Sequence, residues 1–138
     1  VGAGRTGPQG DALAMALDGA LAAPNAGAAD GPPLSQSERD GLRLAIDQCW
    51  NRGALSLDAA QTSVSIRFTM DPNGIPDPAS LRLDASDGGS PAAVQQAFEV
   101  GRRAILECGR GGYALPPEKY NRWRDTIVDF RPQGVSVN

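Results

Sequence analysis

Apolar and polar positions alternate along this chain with two different periods, and the switches between them outline a small domain. In "LSQSERDGLRLAIDQCWNRG", Leu42, Ala45, Ile46, Cys49 and Trp50 recur at helical spacing, which predicts a helix with one core-facing stripe. Ser35 and Glu38 have the spacing of a capping box at its start, and Gly53 is the expected terminator. "TSVSIRFTM" has a period of two. Val64, Ile66, Phe68 and Met70 are expected on a buried face, with Ser63, Ser65, Arg67 and Thr69 on the other.

"DPNG" at 71–74 reads as a turn, in which Pro72 presets φ and Gly74 tolerates a positive one. A calcium loop is the sharper reading of its Asp and Asn, but the EF-hand spacing is not met. Alternation then resumes through Leu81, Leu83 and Ala85, which predicts the second strand of a hairpin. Ser90 and Pro91 are a cap and first helical residue. The helix they open is expected to face inward with Val94, Ala97, Phe98, Gly101, Ile105 and Cys108, and to end at Gly109. "YALPPEKYNRWRD" predicts an extended start and a short helix from Pro116, with Tyr120 and Trp123 as packing residues. A last strand, Thr126, Ile127, Val128, Asp129 and Phe130, closes at Pro132.

Helix, strand, strand, helix, strand is the resulting order. A hairpin followed by a right-handed crossover gives a three-stranded antiparallel sheet of order 2-1-3, with both main helices on one face and a wet opposite face. The fold class is α+β.

Composition separates this domain from what precedes it. Residues 1–33 are mainly Gly, Ala and Pro and hold no aromatic residue, whereas both Trp, both Tyr and all three Phe come later. Such a segment buries too little apolar surface to offset its conformational entropy, so a linker is expected over 1–33 and a folded unit over 34–138. Within the linker, residues 11–22 have helical spacing but are marginal alone. Over 35–138 there are 13 acidic and 12 basic side chains, a balance that argues against nucleic acid. No apolar run reaches the roughly 20 residues that span a bilayer.

The chain has no histidine and two cysteines. Ser-His-Asp and Cys-His chemistry and histidine metal ligation are thereby excluded, and two cysteines alone do not make a zinc site. The carboxylates show no catalytic spacing. No enzyme activity, cofactor or metal is expected. Cys49 and Cys108 both fall on apolar helix faces near helix ends. The residues themselves leave open a reactive thiol, two inert buried thiols or a crosslink.

"IRFTMDPNGIPD", "GGSPAAVQQAF", "YALPPEKYNRW" and "DFRP", in this order and spacing, resemble the C-terminal domain of the TolA family and, more loosely, that of TonB. The resemblance covers about Ser37 to Pro132. Cys-Trp closing the first helix and Cys-Gly closing the later one are similar to one version of the TolA domain. The aromatic-Pro step common in TonB is absent, since Asn51 and Arg52 follow Trp50.

The resemblance implies a non-enzymatic periplasmic interaction domain of the Tol-Pal cell-envelope system. Residues 1–33 would be the tail of a stalk anchored by an upstream inner-membrane helix. Its partners would be TolB and Pal, with TolQ and TolR for the full-length protein, and phage or colicin domains as users of the same surface. The fragment itself would be a monomer outside the membrane. A TonB-type transducer contacting outer-membrane transporters is the alternative. In an oxidising periplasm an even cysteine count is normally paired, so a Cys49–Cys108 disulfide follows. That bridge requires "RGALSLDAAQ" to run back along the sheet in extended form, with the two helices roughly parallel. In a 2-1-3 sheet the last strand is an edge, so Thr126–Phe130 is the expected site of strand addition, ahead of Leu81–Ala85.

Overall fold

A computed structural model describes residues 32–138. The linker and helix expected over 1–33 therefore lie, except for 32 and 33, outside the described residues. Two units divide the chain. One holds Ser35–Pro117 and Trp123–Asn138 and contains the sheet and both long helices; the described part of the other is 32–34 and Glu118–Arg122.

The first helix, α1 (Gln36–Asp47), begins as its sequence dictates. Ser35 Oγ accepts from the Glu38 amide at 3.1 Å, and the Glu38 carboxylate accepts from the Ser35 amide at 2.7 Å, completing the capping box. Leu42 and Ile46 are buried. The helix ends at Asp47, before Cys49, Trp50 and the expected terminator Gly53.

The segment that follows is not extended, although the bridge was expected to require it. It folds into a 3-10 turn (Arg52–Ala54) and one helical turn, α2 (Leu57–Ala60), capped by Ser56. These turns nonetheless carry the chain back. Ser56 donates its amide to Gln96 at 2.7 Å, and Ser90 donates its hydroxyl to Asp58 at 3.0 Å, so the segment starting beside Cys108 finishes at the other end of the second long helix.

β1 (Ser63–Thr69) shows the predicted alternation, and Val64, Ile66, Phe68 and Met70 are all buried. β2 (Arg82–Asp87) pairs antiparallel with it. α3 (Pro91–Cys108) starts with Ser90 Oγ accepting from the Ala93 amide and ends at Gly109. Its buried face is made of small residues: Ala93, Ala97, Gly101 and Ala104, with Val100 and Ile105. Gly101 brings the helix close to the sheet, since a Cβ there would sit 2.9 Å from Ile66 Cδ1 and 3.0 Å from Phe130 Cδ1. After a 3-10 turn (Pro117–Lys119) come α4 (Tyr120–Trp123), β3 (Asp125–Arg131) and β4 (Gly134–Val137).

The sheet has four strands in the order β2-β1-β3-β4, all antiparallel, rather than three. The 2-1-3 part is as expected; "GVSV" adds a short hairpin strand beyond Pro132. α3 packs on β1 and α1 on β4. Trp123, Phe68, Phe130, Ile46, Ile66, Ile105, Val64 and Val128 are the largest fully buried side chains. No helix among the described residues is long and apolar enough to cross a membrane.

Candidate interaction edge

The expected edge strand is not an edge. β4 pairs along the outer side of β3, setting Val128 against Val137, Asp129 against Ser136 and Phe130 against Val135. Val128, Asp129 and Phe130 are buried and Ile127 is half-buried. Thr126 is buried too, its hydroxyl donating to the Trp123 carbonyl at 2.6 Å. The physical basis for strand addition at Thr126–Phe130, a row of unpaired backbone groups, is therefore absent along the half that β4 covers.

β2 is the open side of the sheet. All six of its residues are exposed, and the helices pack elsewhere. Leu83, expected in the core, is 41% exposed. It shares the inner face with Ile66 but sits on the edge strand, beyond the helices that cover β1 and β4, and the register displaces its neighbour Ala85 instead. Ile66 faces Leu83 and Ser65 faces Ala85, so Asp84 is an extra residue, a β-bulge. Past a bulge the side-chain phase reverses. Leu83 stands on the helix side of the sheet and Ala85 on the outer side, although the sequence alternation puts them together.

What the bulge achieves is electrostatic. It aims Asp84 at Arg67 on β1, at 3.3 Å, while Asp125 on β3 meets the same guanidinium at 3.1 Å. One arginine thus ties three strands on the outer face. The hydrogen bond from Arg67 to Asp84 and the charge of Asp125 raise the arginine pKa above its ordinary value.

Further along the same face, Asp129 is buried and saturated. It accepts from Ser65 Oγ at 2.5 Å, from Arg131 at 2.8 Å and from the Asn138 side chain at 3.2 Å. Beside it lies a shallow groove of about 380 Å³ floored by Ser63, Ser65 and Ala85 and rimmed by Asp87, Arg131 and Gln133. Ser, Thr, Arg and Asp on this face were legible from β1 and β3. Arg82 and Asp87, the two charges at the ends of β2, were not singled out; their positions flanking an alternating run were the available signal.

The cysteines are joined. Cys49 and Cys108, 59 residues apart, form a disulfide with their Cα atoms 5.9 Å apart. It fastens the chain just past α1 to the last residue of α3. Next to it, Trp50 lies 5.5 Å from Phe130 and carries Arg52 stacked 4.4 Å over its ring.

"DPNG" is a structural turn. Asp71 Oδ1 accepts from the amides of Asn73 and Ile75, and Gly74 takes φ 78°. The Gly74 carbonyl then accepts from the Tyr113 amide at 2.9 Å, locking the hairpin to the loop after α3. Tyr113 donates its buried hydroxyl to the Ile105 carbonyl at 2.6 Å, and burial pushes its phenol well above the ordinary value. Among the described residues no group of three His, Cys, Asp or Glu is placed to hold a metal.

Comparison with family models, with curated proteins and with solved structures finds no match to this chain.

Proposed function

We propose that this chain is a periplasmic protein-interaction domain of the TolA C-terminal type, performing no chemistry of its own. It engages TolB and Pal and passes inner-membrane energy to the outer membrane. The observation that carries this reading is the open edge of β2. Its six residues are exposed, Leu83 is half-exposed, and no strand among the described residues covers its outer backbone groups. The succession of the two long helices and the first three strands supports this reading, as does the Cys49–Cys108 bridge; β4 is an addition to the expected order.

Partner capture then works by main-chain hydrogen bonding to β2, with Leu83 selecting an apolar residue opposite it. The test is to immobilise residues 1–138, pass periplasmic extract over them and identify what is retained by mass spectrometry. TolB or Pal should be held by the parent chain and lost with Leu83→Asp at unchanged melting temperature. Recovery of neither overturns the reading. Retention of the N-terminal segments of outer-membrane transporters instead assigns the chain to the TonB type.

A further inference from the structure

We infer that β2 is also self-complementary, and that two copies of this chain pair edge to edge through it into one continuous eight-stranded sheet. The inference rests on the bulge and on two charges, and stands whatever the identity of a heterologous partner.

In an unbroken strand, residues 82 and 87 are an odd number apart and point to opposite faces. Here Arg82 lies opposite Arg67 and Asp87 opposite Ser63, and both of those β1 residues are on the outer face. The extra residue at Asp84 has brought Arg82 and Asp87 to the same side of the sheet. Neither has an ion-pair partner among the described residues.

Consider a two-fold axis normal to the sheet, passing midway between Asp84 and Ala85. Antiparallel pairing about it sets Arg82 against the second copy's Asp87, and Asp87 against its Arg82. Leu83 meets Ser86 on the helix side, and Asp84 meets Ala85 on the outer side. Every pair joins residues of the same face, which is what a cross-strand pair requires. Without the bulge this register would place outward residues against inward ones. Asp84 adds no repulsion, because Arg67 already holds its charge. The two helical layers remain on one side, as in a single copy.

A bulge ordinarily blunts an edge against pairing. At this edge it narrows pairing to one register. Six residues per strand make a small contact, so association belongs to the weak class of interfaces. The monomer is the dilute state, and a partner that adds to β2 competes with the second copy.

Sedimentation velocity on the oxidised full chain, over a concentration series reaching about 1 mM, tests this. The parent chain should show a monomer–dimer equilibrium. Arg82→Asp and Asp87→Arg should each weaken it by about tenfold or more, since each replaces two attractive pairs with two repulsive ones. Mixing the two variants should restore the dimer, because the acidic edge of one complements the basic edge of the other. Both positions are exposed, so unchanged melting temperatures are expected for the variants. A parent chain that stays monomeric throughout overturns the inference. So does a dimer that neither variant weakens, or a mixture that fails to recover it.

Discussion

Ser65 on β1 donates a 2.5 Å hydrogen bond to Asp129 on β3, and this contact makes a buried carboxylate tolerable on the polar side of the sheet. Arg131 and Asn138 supply the remaining donors, so Asp129 joins β1, β3 and the end of β4. Asp129→Ala leaves the Ser65 hydroxyl and the Asn138 amide without their acceptor. A loss of about 1–3 kcal/mol is expected by urea denaturation. Ser65→Ala should cost less, because the carboxylate keeps two donors. The double variant should cost less than the sum of the two.

The Cys49–Cys108 bridge should appear in solution as an absence of titratable thiols in the denatured, unreduced protein. Replacing both cysteines by Ala should lower stability by about 2–4 kcal/mol, as the unfolded chain regains the freedom of a 59-residue separation. Two thiols titrating without reductant would contradict the bridge.

Gly74→Ala meets two penalties at once. A Cβ there falls inside the Tyr113 backbone, and φ 78° disfavours any L side chain. The expected loss is about 2 kcal/mol or more, with the DPNG turn pulled away from the loop after α3. Protection of the Tyr113 amide against hydrogen exchange should fall accordingly, because its acceptor is the Gly74 carbonyl.

Gly101→Leu opposes a gain to a loss. Leucine improves helix propensity by about 1 kcal/mol over glycine. Its side chain must enter space already held by Ile66 and Phe130, and overpacking costs about 1–3 kcal/mol. Packing should win, with a lower midpoint of unfolding.

Alkaline pH should destabilise the fold through Tyr113. Its folded pKa is raised by burial, so the native state keeps a proton that the unfolded state releases. The stabilisation this represents is full below the unfolded tyrosine pKa, near 10, and drains away as pH rises past it. Tyr113→Phe should flatten the loss of stability above about pH 10 while lowering stability at neutral pH, where the hydrogen bond to Ile105 is missed.

Signals that act over a few residues were readable in the chain. The Ser35–Glu38 box, the Ser90–Pro91 start and the β1 alternation each depend on neighbours, and each appears in the structure. Pairings across the chain were less visible. "GVSV" after Pro132 has too little pattern to announce a strand, yet it covers half of β3 and removes the edge on which the Thr126–Phe130 site depended. The bulge was hidden because Leu81, Leu83 and Ala85 alternate regularly; the extra residue, Asp84, meets Arg67 17 residues upstream, a pairing that no local pattern announces. The helical turns of "RGALSLDAAQ" were hidden for another reason: a bridge between Cys49 and Cys108 constrains how far that segment reaches, and leaves its conformation open.

The bridge between Cys49 and Cys108 divides the domain into a closed loop and two free arms. β1, β2 and α3 lie within the loop; α1 lies on one arm, and β3 with β4 on the other. A protease cutting once at the exposed Asp71–Asn73 turn leaves two pieces still covalently joined, separable only by a reductant. A single cut after Arg110 frees the β3–β4 hairpin from any covalent tie to the rest. That strand pair, including the saturated Asp129 and the fully buried Val128, is thus retained after such a nick by noncovalent packing alone.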